Sequence, residues 1–168
     1  MVGVAEGNIN FNYKIPKTNF FAGIGYKGNL FYTPPKFFIF ELKTKMQMHG
    51  AYLKLGYDIG QNSNFIISPS LNIGWNATSY SGVVCKTKDL NYIPAYQAWF
   101  VEPGVHFNFL PESDFGISCS FSFVLVDHVW NPEYICMDDH ISLGDVNRNA
   151  LTSYYNLGLG IYWGIGKR

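Results

Sequence analysis

Charged residues are scarce in this sequence. Asp, Glu, Lys and Arg make up 14% of its 168 residues, whereas a soluble domain usually contains about 25%. The 12 basic and 12 acidic residues cancel, while a nucleic-acid-binding protein normally carries a basic excess. We therefore expect no nucleic-acid partner, and we expect much of the surface to face something other than water.

Long apolar runs, a secretory leader and cysteine motifs are also missing. No run of 18 apolar residues occurs, which excludes a transmembrane helix, and residues 1–7 have neither the basic start nor the apolar core of a secretory leader. The three cysteines form no CxxC pair, and their odd number leaves at least one thiol unpaired within the chain. Neither a phosphate-binding glycine loop nor a zinc or GxSxG motif occurs. We therefore predict no catalytic residue, no metal and no cofactor.

Apolar and polar residues alternate with a period of two along most of the chain. Between 65 and 77 every odd position is apolar, and most even positions are Ser, Asn or Gly. Successive side chains of a strand point to opposite faces, so such a segment has one apolar and one small polar face. The same pattern predicts seven strands, near residues 9–15, 20–26, 51–59, 65–77, 99–109, 115–123 and 155–165.

The connections between these strands alternate in length. Short turns rich in Pro, Asn and Ser occur at 16–19, 61–64 and 111–114, and long links span roughly 28–49, 78–94 and 127–149. Short turns at one rim and long loops at the other are typical of an outer-membrane barrel. The predicted fold is all-β, an antiparallel up-and-down transmembrane β-barrel, in a single domain over residues 1–168.

The composition of the two faces decides which one lies outside. A soluble barrel that carries an apolar ligand, like a lipocalin, should cover its outer face with Lys, Glu and Asp, but here the polar face is mostly Gly, Ser and Asn. The apolar face carries Trp75, Trp99 and Trp163, which are bulky for a narrow bore. We therefore favour the membrane barrel and keep the soluble carrier as an alternative.

Aromatic residues are predicted to form two girdles on the outer face. A strand tilted by 40–45° rises about 2.3–2.5 Å per residue, which places Trp75 and Trp99 roughly 30 Å above the short turns. A second group, with Phe20 and Phe65 among its members, lies within a few residues of those turns. The predicted girdle residues are Trp75, Trp99, Trp163, Tyr13, Tyr57, Phe109 and Phe115.

Seven titratable residues occupy inward positions. Counted from the short turns, Glu6, Lys27, Lys54 and Glu102 lie at similar height in the bore, and a lower tier contains Lys14, Asp58 and His106. Ionised groups in a narrow interior must pair or be solvated. We interpret this lumen cluster as a structural plug rather than a conduction path or proton relay.

An odd number of strands leaves two edges unpaired, which lipid does not tolerate. We therefore expect an eighth strand before Met1, which would make the chain N-terminally incomplete. Alternatively, residues 37–42 extend the third strand outside the barrel, which requires a β-bulge near His49 and Gly50 because the apolar residues change faces there.

Several segments follow the order of a known family. They are NFFAGI at 19–24, AYLKL at 51–55 leading to ISPSL at 67–71, VEPGV at 101–105, and NR at 147–148 with YNLGLGIY at 155–162. Through them the chain resembles the Bacteroidetes-type outer-membrane β-barrel domain, the PorT-like family of small eight-stranded barrels. The resemblance implies an additional strand before residues 9–15. The family usually ends on an aromatic residue, whereas five residues follow Trp163 here.

The long links hold the remaining reactive side chains. Cys85 and Cys136 fall in different outer loops and are candidates for a disulfide or for free thiols, while Cys119 lies on the lipid-facing stripe. Carboxylates and histidines cluster in the third long link without the spacing of a metal site, so we interpret the cluster as a solvated acidic loop. Its members are Asp127, His128, Glu133, Cys136, Asp138, Asp139, His140 and Asp145.

These features predict a non-enzymatic, monomeric protein of the bacterial outer membrane. Its partners are the lipid bilayer and, at the outer loops, a protein or glycan ligand that serves binding, adhesion or assembly. A lipid hydrolase is the alternative, with Ser142, His128 and either Asp127 or Glu133 as its catalytic set. The spacing of these residues does not favour that alternative.

Overall fold

The structure is a computed structural model that describes residues 2–32, 45–60, 64–81, 96–109, 115–127 and 151–163. These residues form one sheet in which each strand pairs antiparallel with the next along the chain. The predicted all-β, up-and-down arrangement of seven strands is therefore confirmed. The strands are β1 (Val2–Lys14), β2 (Phe20–Tyr32), β3 (Lys45–Tyr57), β4 (Phe65–Ser81), β5 (Tyr96–Phe109), β6 (Phe115–Val126) and β7 (Thr152–Trp163).

The sheet curls into a half-barrel. Lys27 on β2 and Glu102 on β5 are three strands apart, which is about 14 Å in a flat sheet, yet their side chains meet with Nζ and Oε2 2.8 Å apart. Asn29 on β2 and Tyr154 on β7 also meet, with Nδ2 and the hydroxyl oxygen 3.0 Å apart. These strands are not neighbours in the sheet, so their side chains can meet only because the sheet is strongly curved.

The two faces of the curled sheet differ in chemistry. The concave face buries polar side chains, among them Lys27, Lys54 and Glu102. The convex face exposes large apolar side chains such as Trp75 and Leu157. Period-two alternation therefore directs the polar stripe of each strand to the inside of the curve.

Glycines on the concave face make room for aromatic rings. In four cross-strand pairs, a ring lies where the Cβ of the facing glycine would be. The pairs are Phe21 with Gly56, Tyr52 with Gly25, Phe100 with Gly74, and Tyr162 with Gly116. A strongly curved sheet crowds its inner face, so these four rings are each matched by a missing side chain on the neighbouring strand.

The concave face becomes apolar at one end of the sheet. We call this the long-link end, because β2 ends and β3 begins there; the opposite end, where β1 ends and β2 begins, is the short-turn end. The cluster at the long-link end is named the apolar cap and consists of Phe31, Met46, Met48, Tyr52, Ala98, Phe100, Val124 and Val126. Its members are buried, so the interior is not polar over its whole length.

Strand pairing is regular over most of the sheet. β3 pairs with β2 and with β4 without a register shift from Lys45 onward. The bulge that the alternative third strand requires near His49 and Gly50 is therefore wrong, while residues 37–42 lie outside the described residues. A register shift does occur between Gly3 and Ala5 on β1.

Two strands have one neighbour each. Within the described residues β1 pairs only with β2, and β7 only with β6. Because neighbouring strands alternate in direction, the first and seventh run the same way.

No helix in the described part of the chain has the length and apolarity needed to cross a membrane.

The glycine under Phe100 provides a test of this packing. A Cβ at Gly74 would collide with the carbonyl oxygen of Ala51 and with the Phe100 ring, and the backbone oxygen cannot move aside. We expect Gly74→Ala to lower the free energy of unfolding by about 1–3 kcal/mol, measured by denaturant titration of the refolded chain. Gly7→Ala is the control, because a Cβ at Gly7 has open space; equal losses in the two variants would contradict the packing described.

Candidate functional site

The centre of the concave face is a buried ion pair. Lys27 and Glu102 are 3% and 4% exposed at the side chain, with Nζ and Oε2 2.8 Å apart. Asn72 Nδ2 donates to Glu102 Oε2 at 3.0 Å, and Ser122 Oγ donates to Oε1 at 2.6 Å. Both carboxylate oxygens thus have donors, which a buried charge requires.

Lys27 also contacts the apolar cap. Its Nζ lies 4.0 Å from the centroid of the Phe100 ring, within the range of a cation–π interaction. The ion pair therefore sits directly against the cap, and its two charges join β2 to β5.

Glu6 is held by amide groups. Asn29 Nδ2 donates to Glu6 Oε2 at 2.7 Å, and the Asn156 side chain also hydrogen-bonds Glu6. The Tyr52 hydroxyl donates to Asn8 Oδ1 at 2.6 Å. These bonds link β1 to β2, β3 and β7, so side chains bring the two edge strands together although no ladder joins them.

Nearer the short-turn end lies a second polar group. Lys14 Nζ is 3.4 Å from Asp58 Oδ2, and Ser68 Oγ donates to the other oxygen of Asp58 at 2.8 Å. Lys54 Nζ is 2.9 Å from His106 Nε2. We call Lys14, Lys54, Asp58 and His106 the lower tier, and Glu6, Lys27 and Glu102 the upper tier.

A cavity of about 1250 Å³ occupies the concave face beside the lower tier. Side chains from the lower tier and amide and hydroxyl groups of β1, β5 and β6 line it, and it also borders the space between β1 and β7. Lys14 is 48% exposed at the side chain, so the cavity opens toward the short-turn end, while the apolar cap fills the opposite end.

The structure places all seven residues of the predicted lumen cluster on the concave side. It brings six of them together in three pairs, Lys27 with Glu102, Lys14 with Asp58, and Lys54 with His106. Lys54 contacts His106 rather than Lys27 or Glu102, and Glu6 has amide partners. Sequence reasoning missed those partners, because Asn and Ser occur at many inward positions and only the register selects among them.

The predicted girdle residues lie on the convex face, at two levels. Trp75 and Trp99 face each other across β4 and β5, with ring centroids 4.6 Å apart in an edge-to-face arrangement. At the short-turn end Phe20 packs edge-on against Tyr57 at 4.8 Å, and the rings of Phe65 and Phe109 are 5.4 Å apart. Exposed members of the set are Trp75, Trp99, Trp163, Tyr13, Tyr57, Phe109 and Phe115.

The convex face loses its apolar character above Trp75 and Trp99. The outward positions nearer the long-link end hold Gln47, His49 and Gln97, while Met46 and Met48 turn inward. The polarity of the two faces is therefore inverted in the first half of β3, while Asn29, Asn76 and Thr78 on the neighbouring strands remain buried polar residues. Sequence reasoning missed the inversion, although the alternation of residues 45–49 contains it.

Most residues of the predicted disulfide, acidic loop and hydrolase set lie outside the described residues. They include Cys85, Cys136, His128, Glu133 and Ser142. Asp127 follows β6 directly, and its backbone N–H donates to the carbonyl oxygen of Trp99 at 2.9 Å. Cys119 is a partly exposed free thiol.

No family model matches this chain, and no match was found among the curated proteins or the solved structures. The resemblance to the PorT-like family stays a prediction.

The buried ion pair gives a second prediction. Glu102→Gln leaves Lys27 buried without its counter-charge, so we expect the free energy of unfolding to fall by about 3–5 kcal/mol. The double variant Lys27→Met/Glu102→Gln removes both charges. Its Gln oxygen can accept from Asn72 and its Gln amide can donate to the Ser122 hydroxyl, so the variant should lose less than the single variant. Denaturant titrations of four chains, the wild type, Glu102→Gln, Lys27→Met and the double variant, measure this coupling. A double variant as unstable as the sum of both single changes would refute it.

Proposed function

We propose that the protein is a non-enzymatic integral β-barrel of the bacterial outer membrane. Its plugged interior is structural, and the long links on one side bind a protein or glycan ligand or serve assembly. The observation that carries this proposal is the apolar band of the convex face, which has an aromatic level at each boundary.

The height of this band supports the proposal. Phe65 and Trp75 on β4 are ten residues apart, as are Trp99 and Phe109 on β5. Ten residues of a strand tilted by 40–45° rise about 23–25 Å, and the apolar band of outer-membrane barrels is about 25 Å tall. Gln97 follows Trp99 on the outward face, and Ala77 above Trp75 lies between Gln97 and His49. Polar residues therefore begin where hydrocarbon is expected to end.

The exposed apolar side chains support it further. Leu53, Ile73 and Val101 are paired neighbours on the convex face, and each is at least 39% exposed. Soluble monomers rarely expose a contiguous apolar surface of more than a few hundred Å². Contact of such a surface with hydrocarbon is not unfavourable, whereas its contact with water is unfavourable in free energy.

Closure of the barrel follows from strand direction. β1 and β7 run the same way, so one additional strand between them can pair antiparallel with both. Lipid does not tolerate the unpaired N–H and C=O groups of an open edge. We therefore propose an eight-stranded barrel, as the resemblance to the PorT-like family implies.

A structural interior is proposed because the ion pair at its centre is buried and one end is filled. The Lys27–Glu102 pair is buried and the apolar cap lies against it. A continuous water-filled path needs an opening through both ends. We therefore favour ligand recognition over conduction. Recognition would take place at the three long links, which join β2 to β3, β4 to β5, and β6 to β7.

Gel migration tests the membrane assignment. We expect the chain, expressed with its natural upstream region, to sediment with membranes and to require detergent for extraction. Unboiled samples should migrate differently from boiled ones, because a closed barrel resists unfolding by the detergent. A chain that stays in the soluble fraction without detergent would refute the proposal and favour the soluble carrier.

Two matched substitutions separate lipid from water at the convex face. Ile73 and Ile15 are both 42% exposed, but Ile73 lies within the apolar band and Ile15 lies beyond its short-turn boundary. Ile73 lies about 5 Å inside the Trp75 boundary, between the interface and the midplane. In lipid, Ile73→Arg should therefore cost about 1–3 kcal/mol of folding free energy and Ile15→Arg about 0–1 kcal/mol. Denaturant titration in vesicles measures both values; equally small losses would indicate that water covers this face.

A further inference from the structure

Lys54 is a buried cation without a carboxylate partner. Its residue surface is 4% exposed, and its Nζ is hydrogen-bonded to His106 Nε2. The salt bridges among the described residues, Lys27–Glu102 and Lys14–Asp58, leave it out. An ammonium has three N–H donors, and the imidazole can accept from one of them, so two donors of Lys54 remain for another acceptor.

The charge balance of the two tiers differs in sign. The upper tier has two acids and one base, Glu6, Glu102 and Lys27, and so carries a net charge of −1. The lower tier has two bases and one acid, Lys14, Lys54 and Asp58, and carries +1 with neutral His106. Glu6 of the upper tier also lines the cavity together with Lys14, Lys54 and Asp58, so its charged lining residues balance. The positive charge near Lys54 is therefore local, and Glu6 is held by the amide groups of Asn29 and Asn156.

Neutral hydrogen-bonding groups share the cavity wall with Lys54 and with the carboxylates of Asp58 and Glu6. Asn12, Asn108, Ser118 and Ser120 line it together with Lys54 and His106. Gly158 and Gly160 on β7 also form part of its wall and leave its volume free of side chains. Its 1250 Å³ includes the open space between β1 and β7, where the proposed eighth strand would lie. A ligand site needs only part of this volume, since ligand pockets usually measure about 300–1,000 Å³.

We propose that this cavity is a binding site for a small oxyanion, a carboxylate or a phosphate group, with Lys54 as its anchoring cation. The anion would take the two free N–H donors of Lys54, and the amide and hydroxyl groups of the wall would contact its remaining oxygens. It would enter from the short-turn end, since the apolar cap fills the other end. The site rests on the proposed function in one respect: in an outer-membrane barrel the short turns face the periplasm.

Calorimetry on the full chain, folded in detergent micelles, tests the site. Sodium phosphate and sodium acetate are titrated separately, with ionic strength held constant by sodium chloride, so the two arms distinguish a phosphate from a carboxylate site. Lys54→Gln should weaken binding about tenfold or more, the usual effect of losing a charge-assisted hydrogen bond. Lys17→Gln is the matched control, because it removes an equal charge from the exposed turn after β1.

Binding of either anion to the wild type and to Lys17→Gln, with loss in Lys54→Gln, would support the site. Heat without saturation in the wild type, or equal affinity in all three chains, would overturn it. If Lys54→Gln does not fold, Gly158→Val replaces it: the new side chain enters the cavity wall beside Ser120 and keeps every charge, and it should weaken binding severalfold. Unaltered affinity in that variant would also overturn the site.

The gel shift of the unboiled chain keeps the two proposals apart. A chain that shows the shift but binds neither anion refutes the anion site alone. A chain that shows no shift in any detergent refutes the membrane barrel.

Discussion

The contact between the Lys27 ammonium and the Glu102 carboxylate holds the sheet in its curved form. Each group is buried, and a buried charge without its counter-charge is unfavourable by several kcal/mol. The two strands that carry them, β2 and β5, meet only when the sheet curls. Curvature and ion pairing therefore depend on each other, and the glycines opposite Phe21, Tyr52, Phe100 and Tyr162 provide the space that this curvature needs.

Much of the fold could be predicted, because period-two alternation has a direct physical cause. Between 65 and 77 the odd residues are apolar and the even ones small and polar, and a strand sends them to opposite faces. The same rule directed Lys27, Lys54 and Glu102 inward. It also located the seven strands of the described residues, since each segment was long.

Other features depend on relations between strands that no single segment contains. The partner of Lys54 is His106 rather than Glu102, because strand register and the direction of the side chain decide the contact. The alternation assigns the first half of β3 to a long link, because Met46 and Met48 point inward and Gln47 and His49 outward, opposite to the polarity of the later half. Alternation identifies two faces but does not say which one is inside.

The apolar cap makes the two ends of the molecule unequal. Phe31, Met48, Phe100 and Val126 belong to one buried cluster at the long-link end, and the cavity beside Lys54 lies toward the other end. In a closed barrel, this arrangement is a cavity that is open at one end only. A solute bound inside it is released to the compartment from which it came. Such a protein could sense or store a small molecule of one compartment while the permeability barrier stays intact.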